Sequence, residues 1–249
     1  MVEFSFKDSR FFKQCIDAIA NIVDEGTFEV SRDGLKLRSL DPSQIAMVDF
    51  SLPKGQSFSD YSVEGTRTIS LNLVDLSKVL SRARAGEKLS IKLQDEEANK
   101  VLLEFASDSK RTFKLPLLDL RDTATPREPK VELDASVKVR SGVFKEMLKD
   151  AILVSSHLQL ESSGKLFILE AHGDAGDLKI EHKGSKEVEI EGKDGRAMYP
   201  ADYLDKMCRA STETDPLHVQ FGSSKPVKVS YKLGDAQLIY FLAPRVESA

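Results

Sequence analysis

An α+β chain made of two copies of one helix-and-strand unit is the fold that the sequence predicts. Three observations predict it. Many runs alternate apolar and polar residues at strand period, four segments repeat apolar residues at helical spacing, and matched residues recur about 130 positions later. The 249 residues suffice for two domains of about 120 each.

Taken in order, Phe12, Cys15, Ile16, Ile19 and Val23 form the first helical stripe. Thr27-Phe28-Glu29-Val30 then alternates as a strand, and Arg32-Asp33-Gly34 reads as a turn. Leu73, Leu76, Leu80 and Ala83 give the second stripe, followed by strands at Leu89-Ser90-Ile91-Lys92-Leu93 and Val101 to Phe105. The second half repeats the pattern. A third stripe joins Phe144, Met147, Leu148, Ala151 and Ile152, Ser162-Ser163-Gly164 is a turn, and Leu178-Lys179-Ile180-Glu181 alternates. Tyr203, Leu204, Met207 and Cys208 make the fourth stripe, before the strand Val227 to Tyr231 and the turn Leu233-Gly234-Asp235.

Residue matches keep the same order in both halves. Phe12-Lys13 and Phe144-Lys145 open the first and third helices, and Gly34 and Gly164 occupy equivalent turns. Arg82-Ala83 and Arg209-Ala210 close the second and fourth helices, and Phe113-x-x-Pro116 matches Phe241-x-x-Pro244. Between the halves, Asp119 to Lys130 is polar, contains two prolines and has no periodicity, as an exposed connector would. The expected division is residues 1–118, a connector 119–130 and residues 131–249. On its own the connector reads equally as a plain spacer.

With 41% hydrophobic and 31% charged residues the composition is globular. No apolar run approaches the ~20 residues of a membrane helix, and the first residues lack the pattern of a signal peptide. A soluble, cytoplasmic protein is expected. The net charge of −4 argues against a strong grip on many phosphates. Cys15 and Cys208 lie in apolar stripes and read as buried reduced thiols. His157, His172, His182 and His218 form no HExxH, and neither Gly164-Lys165 nor Gly192-Lys193 belongs to a phosphate-binding loop. Gly173-Asp174-Ala175-Gly176-Asp177 is an acidic turn, and Asp95-Glu96-Glu97 a solvated hairpin loop. No catalytic residue, metal site or cofactor is expected.

Three stretches resemble the sliding clamps of the proliferating cell nuclear antigen family in its archaeal form. They are Leu37-Arg38-Ser39-Leu40-Asp41-Pro42-Ser43-Gln44-Ile45-Ala46-Met47-Val48, then Arg111-Thr112-Phe113-Lys114-Leu115-Pro116-Leu117-Leu118-Asp119, then Phe241-Leu242-Ala243-Pro244-Arg245-Val246-Glu247. Tyr199 to Leu204 match the family's last helix, and the likeness spans essentially the whole chain. The resemblance implies an α+β fold with two similar domains per subunit, each with two helices packed on antiparallel sheets, assembled as a closed trimeric ring, either a homotrimer or one shared with paralogous subunits. It implies a DNA polymerase processivity factor that encircles double-stranded DNA with weak contacts and is no enzyme. Partners implied are DNA polymerase, clamp loader, flap endonuclease and DNA ligase, each docking a short peptide with a glutamine and aromatic residues.

Carried onto this chain, the resemblance makes Arg10, Lys13, Lys78, Arg82, Lys145, Lys149, Lys206 and Arg209 the cations that face DNA. The same residues also fit ordinary solvated helix faces, since Asp17, Glu146, Asp150 and Asp205 share those segments. The implied peptide pocket comprises Leu40, Gln44, Ile45, Leu120, Pro226, Phe241, Ala243 and Pro244. Against it stands the reading in which Phe241 and Pro244 only close a core. Thr123-Ala124-Thr125 replaces bulkier apolar residues of some relatives, which implies a shallower connector wall. The implied subunit interface pairs a strand carrying Lys110, Arg111, Phe113 and Lys114 with one carrying Asp174, Asp177, Leu178, Ile180 and Glu181. Two other classes stay open from residues alone: a hydrolase with a cryptic site, and a single-stranded nucleic-acid-binding β protein, which needs exposed aromatics.

Overall fold

Capping and apolar spacing set where the helices begin and end. A computed structural model describes residues 2–93, 99–120, 125–174 and 176–245. It divides the chain into two compact units. One comprises Met1–Pro42, Val48–Pro126 and Leu233–Leu238; the other comprises Ser43–Met47, Arg127–Lys232 and Ile239–Ala249.

In the first unit, helix α1 spans Ser9–Ala20 and α2 spans Leu73–Leu80. Asp8 caps α1 by accepting the Arg10 amide, and Asn72 caps α2 by accepting the Asp75 amide. Phe12, Cys15, Ile16 and Ile19 are buried along α1, as are Leu73, Leu76 and Leu80 along α2. Ala83 lies beyond α2, so the second stripe is one turn shorter than its spacing suggested. The Ser81 hydroxyl donates to the Lys78 carbonyl at 2.7 Å, a side-chain bond that competes with helix continuation.

Five strands form one antiparallel sheet: β1 (Val2–Phe6), β5 (Phe58–Val63), β7 (Lys88–Leu93), β8 (Lys100–Ala106) and β9 (Lys110–Pro116). Their order is β5-β1-β7-β8-β9, which leaves β9 at an edge. Strands β2 (Glu25–Ser31), β3 (Gly34–Leu40), β4 (Ala46–Pro53) and β6 (Arg67–Asn72) take the order β4-β3-β2-β6. Phe6 stacks on Phe12 at 4.5 Å and lies 4.8 Å from Phe58, joining sheet to helix. Gly34 has φ +137°, and a Cβ there would sit 2.2 Å from the Leu52 carbonyl oxygen, so only glycine fits this turn.

The second unit repeats this plan. Helices α3 (Ser141–Val154) and α4 (Ala201–Cys208) accompany strands β10 to β18. Strands β10 (Ala135–Arg140), β14 (Val188–Gly192), β16 (Pro216–Phe221), β17 (Val227–Leu233) and β18 (Ala236–Leu242) run in the order β14-β10-β16-β17-β18. Strands β11 (His157–Ser163), β12 (Leu166–Gly173), β13 (Gly176–Lys183) and β15 (Gly195–Pro200) run β13-β12-β11-β15. Each position in these orders answers to one in the first unit, strand for strand. The duplication inferred from scattered matches is therefore a duplication of topology.

Candidate functional site

Strands β9 and β13 each lie at the edge of a sheet, with no residue fully buried. Along β9, Lys110, Thr112, Lys114 and Pro116 are exposed while Arg111, Phe113 and Leu115 are half-buried. Along β13, Leu178, Ile180 and His182 are half-buried between exposed Asp177, Lys179, Glu181 and Lys183. Unpaired edge amides and carbonyls invite another strand.

The charges on these edges are mostly committed within the chain. Lys110 bonds Glu104 at 2.7 Å, and Arg111 turns inward to Glu87 at 2.7 Å. Asp177 bonds His172 Nδ1 at 2.7 Å, and Glu181 bonds Lys179 at 3.1 Å. Phe113 packs edge-on against Phe105, with ring centroids 5.8 Å apart. Asp174 lies in the turn between β12 and β13.

Next to the β13 edge stands a feature that the sequence reading missed. Leu153 is 80% exposed and Ile152 is 43% exposed at the end of α3. Ile152 thus leaves the apolar stripe assigned to it. Ala151-Ile152-Leu153-Val154 is an apolar run that no single helix face can bury, and this was the available signal. A Cβ on Gly173 would lie 2.0 Å from the Val154 carbonyl oxygen; the absence of that atom lets the helix end approach β12.

The helix cations carry nearby acids. Arg10 pairs with Asp8 at 2.7 Å, Lys78 with Asp75 at 3.0 Å and Lys149 with Glu146 at 2.7 Å. Lys206 pairs with Asp202 at 3.4 Å and Arg209 with Asp205 at 2.6 Å. Lys13 pairs with Asp17, which also accepts the Ser77 hydroxyl at 2.6 Å and so links α1 to α2. Lys145 donates to the Ser211 carbonyl at 2.5 Å. The Arg10 side-chain bond chiefly, opposed by desolvation, holds the Asp8 carboxyl below its ordinary range, while Glu146 pushes the Lys149 ammonium up. Arg82 and Arg209 were expected on helices but follow them, because α2 ends at Leu80 and α4 at Cys208.

For the docking residues, the structure joins two distant segments of the second unit. The Ala243 amide donates to the Ile45 carbonyl at 2.8 Å. Gln44 is exposed with φ +59°, a left-handed conformation uncommon outside glycine. Pro226, Ala243 and Pro244 are half-buried. Phe241 is only 6% exposed, with the Lys228 ammonium 5.4 Å from its ring centroid. The Tyr199 hydroxyl donates to the Lys225 carbonyl at 2.7 Å and the Arg245 amide to the Met198 carbonyl at 2.8 Å, which fixes the flanking chain. Leu40, 40% exposed, and half-buried Leu120 belong to the first unit. Thr123, Ala124 and the acidic loop Asp95-Glu96-Glu97 lie outside the described residues.

Among the described residues, groups suited to chemistry are sparse. Burial pushes the Cys15 and Cys208 thiols up to about 12, far from the range of a reactive thiolate. Among the described residues no three His, Cys, Asp or Glu side chains are grouped to hold a metal ion. Ser136 Oγ lies 2.9 Å from His218 Nε2, but they are neighbours on the β10–β16 ladder. Desolvation foremost, then Lys138 and Lys228, push the His218 imidazole down. Phe4, Phe6, Phe12, Phe28, Phe50 and Phe58 are all buried in the first unit, unlike the exposed rings of a single-strand stacking surface. No helix among the described residues is long and apolar enough to cross a membrane.

Comparison with known proteins covers nearly the whole chain. The N-terminal domain model of proliferating cell nuclear antigen matches residues 1–124, and the C-terminal domain model matches residues 127–246. The DNA polymerase sliding clamp of Thermofilum pendens is 37% identical over 254 residues, covering 99% of this chain and 100% of that protein. The DNA polymerase sliding clamp of Pyrococcus abyssi is 32% identical, covering 98% of each. The crystal structure of proliferating cell nuclear antigen from Thermococcus kodakaraensis superposes with a TM-score of 0.90 at 27% identity, covering 98% of this chain and all of that one. A structure of A. fulgidus proliferating cell nuclear antigen bound to the C-terminal region of FEN-1 gives a TM-score of 0.89 at 27% identity, covering both chains fully.

Proposed function

The chain belongs to the proliferating cell nuclear antigen family, and from that premise we propose that it is a DNA polymerase sliding clamp. Three copies close a ring around duplex DNA and tether replication and repair proteins. The chain works by topology and docking and not as an enzyme. The observation that carries this reading is the doubled unit in which each half has one sheet-edge strand that buries no residue fully, β9 and β13. Head-to-tail pairing of such edges makes a heterologous contact that closes when the rotation allows. Lys110, Phe113 and Lys114 face Asp174, Asp177, Leu178, Ile180 and Glu181 across that contact, and Ile152 and Leu153 extend its apolar part. The division into residues 1–118, 119–130 and 131–249 belongs to the same reading.

Mechanism follows from charge. An encircling ring needs no strong phosphate grip, and contacts that were tight would have to break at each step of sliding. Arg10, Lys13, Lys78, Arg82, Lys145, Lys149, Lys206 and Arg209 supply weak contacts, most of them moderated by a neighbouring carboxylate. Partner peptides with a glutamine and aromatic residues dock on Leu40, Gln44, Ile45, Leu120, Pro226, Phe241, Ala243 and Pro244. The relative bound to the C-terminal region of FEN-1 supports a flap endonuclease among the partners, beside polymerase, clamp loader and ligase. The working location is on chromosomal DNA in the cytoplasm.

The test is polymerase extension on primed circular DNA with a clamp loader. Processivity should rise on the circle and fall back when the template is linearised, because a ring slides off free ends. The quadruple reversal K13E/K78E/K149E/R209E should weaken loading or retention while native mass still reports a trimer. Equal stimulation on linear and circular templates, or a monomer at every salt concentration, would refute the clamp.

A further inference from the structure

Glu87 is a buried carboxylate at the junction of three elements, with its side chain 1% exposed. The Arg111 Nη2 donates to both of its oxygens, at 2.9 and 2.7 Å, and also to the Arg82 carbonyl at 3.0 Å. The Arg84 amide donates to the same carboxylate at 2.7 Å. Through its own carbonyl, Glu87 accepts the Ser9 amide at 3.0 Å, in the first turn of α1. One pair therefore ties the edge strand β9 to the turn leaving α2 and to the start of α1.

Arg111 has little freedom to leave this site. Its guanidinium carbon lies 5.1 Å from the Phe105 ring centroid, and Phe105 is its register partner on β8. The Nε is buried without a hydrogen-bond partner among the described residues. Swinging the side chain outward would leave Glu87 as an uncompensated buried charge, which is strongly unfavourable. Strand period puts Arg111 on the half-buried face with Phe113 and Leu115, while Lys110, Thr112 and Lys114 take the other.

We infer that Arg111 is a positioning residue of the ring edge: held inward by Glu87, it fixes β9 and the Arg82 turn in the conformation to which a second copy's strand adds. Its charge is not offered across the interface. The inference rests on the ring reading above. It also joins two functions physically, since the brace that holds the assembly edge holds the Arg82 turn as well.

The experiment measures the trimer–monomer dissociation constant across a range of salt for the wild type, R111K, R111M and R111M/E87M. R111M should weaken the trimer by about tenfold or more, because the stranded Glu87 loosens β9. The slope of the constant against salt should stay that of the wild type, since no charge is lost from the interface. R111M/E87M should recover most of the loss. R111K should fall between, as its ammonium keeps the charge but stands on a shorter, flexible stem and loses the planar guanidinium face against Phe105; it serves if R111M does not fold. Amide exchange in residues 82–87 of the R111M monomer should quicken. A flattened salt slope with no rescue by E87M would put Arg111 across the interface and overturn the inference, as would an unchanged constant. A wild type that never trimerises would instead defeat the ring reading, and this inference with it.

Discussion

Glu104 accepts from Lys110 at 2.7 Å and from Lys92 at 3.1 Å, on the solvent side of the β8–β9 hairpin. Lys110 first, against the opposing effect of burial, holds its carboxyl below the ordinary glutamate range. A depressed folded pKa contributes stability that is present above the unfolded value and is lost as pH falls through the folded value. Glu104→Gln should therefore cost about 1 kcal/mol at neutral pH, a modest figure because Lys110 is well exposed. In acid the cost should vanish, so that denaturant midpoints of the two proteins converge. A gap that persists in acid would mean that the loss comes from packing. The same residue shows a limit of reading by sequence. From sequence Lys110 is a charge for a neighbouring subunit, and only the fold reveals that Glu104 of its own chain bonds it as well.

The helices present the same lesson over a longer stretch. Period alone located the buried stripes of α1 and α2, because burial repeats with backbone geometry. It also put the cations off those stripes. It did not reveal that Arg10, Lys78, Lys149 and Lys206 each have a carboxylate within 3.4 Å, or that Arg82 and Arg209 follow their helices. These carboxylates compete with DNA phosphates for the cations. The variant D8N/D75N/E146Q/D202N should slide more slowly, its one-dimensional diffusion coefficient falling about two- to tenfold, since each exposed pair contributes up to roughly 1 kcal/mol. Its retention should also depend more steeply on salt. Unchanged diffusion on stretched duplex would show that these helix faces do not meet DNA. Asp8 also caps α1, so Tm of the same variant is measured beside it.

At the scale of the whole molecule, docking depends on segments far apart in sequence. The Ala243 amide holds the Ile45 carbonyl at 2.8 Å, which sets the exposed Gln44 beside the end of β18. A partner peptide that buries two aromatic rings gains several kcal/mol at ~25 cal/mol per Å² before ordering costs, enough for micromolar binding. Calorimetric titration of such a peptide should give about tenfold weaker binding for Leu40→Ala. A chain ending at Leu242 should bind more weakly still, because it loses Ala243 and Pro244. Equal affinity for all three proteins, each still trimeric, would move the docking site elsewhere. By itself the sequence determined the strand and helix periods, the duplication, and the three stretches that mark the family, because these are written in local spacing and residue identity. Only the tertiary structure decided that Arg111 turns inward to Glu87, that Leu153 stands in solvent and that Phe241 is buried. Such facts depend on which distant groups meet, and a one-dimensional pattern constrains burial well but the partner of a charge hardly at all.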